Sequence, residues 1–174
     1  MGDRVTIVGV GNILAGDDGI GIALATGLAD RGLPAGAAVR DAAGDPLAVV
    51  EELAAGRTVL LLDACRFGGA PGATTWLRLD DPAWPRVAAP LSLHGLDLPA
   101  VFRLAQVLRL PLDRAWLMGV EPDGALEGRG LSPTLAEALP MLEEEARRGA
   151  LRMLDGLEPK EQRAAPLAGA AAAT

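Results

Sequence analysis

Val5, Thr6, Ile7 and Val8, four β-branched residues in a row, run directly into Gly9, Gly11 and Asn12 within the stretch VTIVGVGNILAGDDGIG. A run of that kind favours an extended strand covered on both faces, and the glycines turn the chain at its end. Ile20, Leu24 and Leu28 then recur at helical spacing, which predicts an amphipathic helix closing near Asp30–Gly32. A strand, a turn and a helix in that order point to an α/β arrangement, in which ligands collect beyond the carboxyl ends of the strands. Asp17 and Asp18 stand together at that turn.

The glycines invite a dinucleotide-site reading, and the rest of the turn rejects it. The fingerprint G-x-G-x-x-G needs a third glycine where this chain has Leu14. Two carboxylates also occupy the place where a phosphate needs positive potential. A cation or a proton-transfer role fits better. The plain alternative is that Asp17 or Asp18 caps the helix, but two acids exceed what one cap requires.

Further along, Ala37–Asp41 reads as a short strand, and 42–46 as a turn. Leu47, Val50 and Leu53 read as a helix stopping near Gly56. Thr58–Ala64, TVLLLDA, is apolar until Asp63, as expected of a central parallel strand. Asp63 falls at its carboxyl end, where it serves either a ligand or the turn that follows. Thr74–Leu79 alternates as a half-exposed strand, and the prolines at 82, 85 and 90 mark a loop. His94 follows, just ahead of a helix carried by Leu98, Val101, Phe102, Ala105 and Leu108. A lone histidine outside an HxxxH-type spacing is by itself weak evidence for a metal. Ala115–Val120 is the last strand, followed by Glu121 and Pro122. Ser132 and Pro133 then form a helix start, serine at the cap and proline in the first turn. Leu135, Leu139, Leu142 and Ala146 mark its inner face, Pro140 is expected to kink it, and Glu143, Glu144 and Glu145 are expected on a solvated face. Residues 1–155 form one domain in this reading, and 156–174, rich in alanine and proline without apolar period, a disordered tail.

Composition narrows the function. A formal charge of −7 argues against a nucleic-acid partner. No apolar run reaches membrane-spanning length, and the opening residues lack the basic and apolar blocks of an export signal, so a cytoplasmic protein is expected. One cysteine, Cys65, allows neither an internal disulfide nor a cysteine-only metal site. Its neighbour Asp63 should raise the thiol pKa, which argues against a cysteine nucleophile. Alternating strands and helices give a three-layer α/β sandwich around a mainly parallel sheet. Asp18, Asp63 and His94 then fall on one side of it. Two carboxylates and an imidazole suit a divalent cation with open positions, or proton exchange during peptide or ester hydrolysis.

The opening motif GVGNILAGDDGIG resembles the signature of the hydrogenase maturation endopeptidases, which remove a C-terminal extension from the large subunit of nickel–iron hydrogenases. The likeness continues through LLLDA at Asp63, SLH at His94 and GVEP…GRGLSP from Gly119 to Pro133. It spans roughly Arg4 to Gly149, in order. It implies a twisted five-stranded sheet between helices, and an endopeptidase acting on the precursor of a hydrogenase large subunit. It also implies that Asp18, Asp63 and His94 contact nickel, the metal arriving already loaded in the precursor. The turn Asp41-Ala42-Ala43-Gly44-Asp45 departs from the family's Asp-Gly-Gly-Thr-like pattern, and turn roles are expected for Asp41 and Asp45. Two other readings stay open: a nickel-sensing or docking module that does not cut, and a small-molecule hydrolase on the same fold.

Overall fold

The computed structural model describes residues 4–41, 47–81, 98–124 and 130–159. Five strands form one sheet in the order β2-β1-β3-β5-β4. They are β1 (Val5–Gly9), β2 (Ala37–Asp41), β3 (Thr58–Ala64), β4 (Thr74–Arg78) and β5 (Ala115–Val120). The first three and β5 run parallel, and β4 pairs antiparallel with β5 at the edge. Among the described residues there are four α-helices, α1 (Ile20–Arg31), α2 (Leu47–Ala54), α3 (Leu98–Val107) and α4 (Pro133–Leu154), and two short 3-10 turns, Gly16–Gly19 and Leu112–Arg114. The expected mainly parallel five-stranded α/β sheet is therefore observed.

Alternation along the strands sorts the core into two layers. Ile7, Leu60, Leu62 and Met118 pack with Leu24 and Leu28 of α1 and with Leu135, Leu142 and Ala146 of α4. Val8, Val59, Leu61 and Leu117 pack on the other face with Val49 and Leu53 of α2 and with Val101 and Ala105 of α3. All five residues of β1 and all six of β5 are buried, as expected for strands covered on both sides.

The strand order reverses at β1. The chain leaves it through α1 to β2 on one side, then returns through α2 to β3 on the other. The carboxyl ends of β1 and β3 therefore border a topological switch point, where a crevice opens in sheets of this type. Close approach of α1 to that point depends on glycine. A Cβ on Gly21 would lie 2.1 Å from the Leu62 carbonyl oxygen and 2.4 Å from that of Val10.

One expectation for α4 needs correction, the solvated face of Glu143, Glu144 and Glu145. Glu143 is only 5% exposed. It lies against α1, where a Cβ on Gly27 would come within 2.0 Å of its Oε1, and its Oε2 pairs with Arg31 Nε at 2.8 Å. Glu145 accepts from Thr74 Oγ1 at 2.8 Å and Trp76 Nε1 at 2.9 Å. Only Glu144 of the three stands in solvent. A helix packed on a sheet and a second helix has a wide inner face, and charge alone did not reveal that Arg31 and Trp76 would meet it. Pro140 lies inside the 22-residue helix, where the sequence places it. Its cap is as expected, with Ser132 Oγ accepting from the Leu135 N–H.

Candidate functional site

Between β1 and α1 the chain forms a single 3-10 turn, Gly16–Gly19, whose four residues are all buried. Both acids of the opening motif lie in it, and neither caps α1. The cap position is Gly19, with no side-chain cap hydrogen bond. The turn packs against β3. Gly11, at φ 125°, allows this, because a Cβ there would lie 1.8 Å from the Asp18 carbonyl oxygen.

Asp17 and Asp18 do different work. Asp17 is fully buried. Its Oδ2 accepts from the Asp123 N–H at 2.9 Å and its Oδ1 from the Ser132 N–H at 2.7 Å. One carboxylate thus ties both ends of the segment between β5 and α4 to the turn after β1. Two backbone donors satisfy a buried acid that would otherwise be costly to desolvate.

Asp18 is 4% exposed. Burial raises its carboxyl above the ordinary aspartate value, while the backbone N–H of Asn12 pulls it back down. Asp63, at the carboxyl end of β3, keeps part of its surface open to solvent. Burial first, and the charge of Asp18 second, push its carboxyl up to about 8, against the lowering effect of the Ala64 N–H. That N–H donates to Asp63 Oδ1 at 2.8 Å. The two carboxylates therefore feel one another across the crevice. Like charges so placed favour a proton on one of them or attract a cation.

The loop after β3 is held by another acid. Glu121 Oε2 accepts from the Phe67 N–H at 2.7 Å and the Gly69 N–H at 3.1 Å. Among the described residues Asp63 accepts from the Ala64 N–H alone, so the main turn-forming role that was open for it belongs to Glu121. Cys65 lies buried between them, and burial, Asp63 and Glu121 all raise its thiol well above the ordinary value. A thiol so placed is a poor nucleophile, as expected, though burial contributes more than the neighbouring charge.

Of the three expected site residues, the structure brings Asp18 and Asp63 together. His94 lies outside the described residues, as do Asp45 and positions 160–174 of the expected tail. Asp41 ends β2, paired with Gly9. Among the described residues no group of three His, Cys, Asp or Glu side chains is placed to hold a metal ion, and no helix is long and apolar enough to cross a membrane. The roles of Asp17 and Glu121 were not read from the sequence. Asp17 carried a signal in its surplus to one helix cap, but its partners lie 106 and 115 residues away.

Comparison with known proteins agrees with this architecture. The family described as hydrogenase maturation protease matches residues 22–148. The hydrogenase expression/formation protein HupD of Rhodobacter capsulatus is 30% identical over 121 residues, covering 69% of this chain and 58% of HupD. The chain thus matches under two thirds of that relative's length. HoxM of Azotobacter vinelandii, described in the same words, is 28% identical over 81% of this chain and 73% of its own. Among solved structures, the hydrogenase maturating endopeptidase HybD from E. coli superposes with a TM-score of 0.67 at 26% identity, covering 91% of this chain and 98% of HybD.

Proposed function

The chain belongs to the family of hydrogenase maturation proteases, and on that premise we propose that it is an aspartyl-type endopeptidase. It removes the C-terminal extension from the nickel-loaded large-subunit precursor of a hydrogenase. The observation that carries this reading is the neighbouring pair Asp18 and Asp63 at the switch point of the sheet. Nickel enters as cargo of the precursor. Asp18, Asp63 and His94 contact it, an oxygen and nitrogen donor set suited to a borderline divalent ion. The bound ion orients the precursor, so that only a loaded one presents its bond correctly.

Hydrolysis of the amide then needs two proton movements. The attacking water gives up a proton as its oxygen bonds the carbonyl carbon. The departing amine nitrogen gains one as the C–N bond breaks. A carboxylate not engaged by the ion can take the first proton and pass it to the departing amine. Cutting takes place before the hydrogenase is exported, so the proposed compartment is the cytoplasm.

The test is incubation with nickel-loaded precursor, followed by sizing of the large subunit. The intact enzyme is expected to yield the shortened form, and Asp18→Ala and His94→Ala to leave the precursor full length. Normal cleavage by both variants would falsify the site. A stable complex with no shortened product would instead favour a docking role.

A further inference from the structure

We propose that Ile13 and Leu14 form an apolar clip that docks the segment of the precursor beside the bond to be cut. This inference rests on the proteolytic reading above and extends it to substrate recognition. Ile13 is 58% and Leu14 62% exposed, although both are large aliphatic residues. Most other large aliphatics of the first 62 residues are packed in the two core layers.

Their exposure is built into the turn. The Leu14 N–H donates to Asn12 Oδ1 at 2.9 Å, and the Ala15 N–H to the Asn12 carbonyl at 2.9 Å. The Asp18 N–H donates to the Ala15 carbonyl at 3.2 Å. Gly11 and Gly16 bracket the turn at φ 125° and 57°, values that set its course and that L side chains rarely adopt. The backbone is thereby closed on itself with the two side chains directed to water.

The same turn belongs to the acidic site. The Asn12 backbone N–H interacts with Asp18, and a Cβ on Gly19 would lie 3.0 Å from Ile13 Cα. The apolar pair and Asp18 are therefore carried by one turn. Chemistry selects the occupant. Asp18 and Asp63 repel an acidic segment, while two adjacent aliphatic side chains favour an apolar one. The partner is accordingly an apolar stretch of the precursor adjoining the cut.

Binding of nickel-free precursor, which does not present its bond for cutting, is measured on the intact protein and on the protein carrying Ile13→Ser and Leu14→Ser. The clip predicts a loss of about tenfold or more in affinity, as expected for two buried aliphatic contacts. Restoring apolar character with Ile13→Leu and Leu14→Ile should recover most of it. In the cleaving enzyme, the serine pair should raise KM and leave kcat within about twofold, the mark of binding shared by ground and transition states. Unchanged affinity, absence of precursor binding by the parent protein, or self-association of the chain that the serine pair abolishes would each overturn the proposal. Failure of the intact enzyme to cut, with affinity still dependent on the clip, would instead remove the proteolytic reading and leave the docking surface standing.

Discussion

Asp17 and Asp18 are adjacent in the chain and face different tasks. Asp17 is spent on two backbone N–H groups, and Asp18 on the crevice it shares with Asp63. Asp17→Ala should therefore cost about 1–3 kcal/mol, because it leaves buried donors unpaired. Urea unfolding would measure it, and a loss near zero would show that water replaces the carboxylate. Asp63 behaves in the opposite sense. Its folded carboxyl is pushed up to about 8 from 3.8, so the folded state holds more protons than the unfolded one between those values. Stability falls as pH rises through that window. Asp63→Asn, which has no charge to desolvate, should be more resistant to urea than the parent at pH 8 and should lose the cutting activity. Equal or lower resistance would show that the carboxylate is not strained by its surroundings.

Among the elements, the decisive contact is between the start of α1 and the ends of β1 and β3. Gly21 faces the carbonyls of Leu62 and Val10, while Gly9 faces the carbonyl of Gly21 at 2.4 Å from its would-be Cβ. Backbone meets backbone there, and no flexible side chain can give way. Gly21→Ala should thus lower stability by about 3 kcal/mol, the upper range of overpacking. It should also weaken precursor cleavage further than the stability loss explains, because α1 carries the turn that holds Asp18. Thermal unfolding and a cleavage assay at a temperature where the variant is fully folded separate the two effects. The helix and strand boundaries themselves were largely legible. Thr58–Ala64 and Ala115–Val120 occur as read, because each is an unbroken apolar run closed by a polar or turn residue. The 3-10 turn at Gly16–Gly19 was not legible, since four residues carry no measurable period.

For the molecule as a whole, Glu52 is the acid that, among the described residues, joins the most elements. From α2 it accepts from Thr6 Oγ1 of β1 at 2.6 Å, and it pairs with Arg40 of β2 at 2.8 Å and Arg57 ahead of β3 at 2.6 Å. Burial opposes its charge, but the bonds from Thr6, Arg57 and Arg40 outweigh that and hold its carboxyl below the ordinary 4.5. The sign follows. Its contribution is fully present above about pH 4.5 and is lost as pH falls through the lower folded-state value. The advantage of the parent over Glu52→Gln in urea should therefore shrink on acidification. An advantage that stays constant down to pH 3 would show that packing, not charge, is what Glu52 supplies.

The sequence alone decided the layers, the strand boundaries and the chemistry on offer at the carboxyl edge. Those follow from local period and from residue type, which need no distant partner to act. Asp63 could be named that way because it sits at the end of an apolar run, and Asp18 because it lies in the turn after one and matches the second acid of the family motif. Tertiary structure decided which acid does what. Asp17 holds Asp123 and Ser132, Glu121 holds Phe67 and Gly69, and Glu143 lies under Arg31. A carboxylate in a sequence looks the same whether water, an N–H or another carboxylate will face it. Only folding brings the partner, and the partner sets its charge and its role.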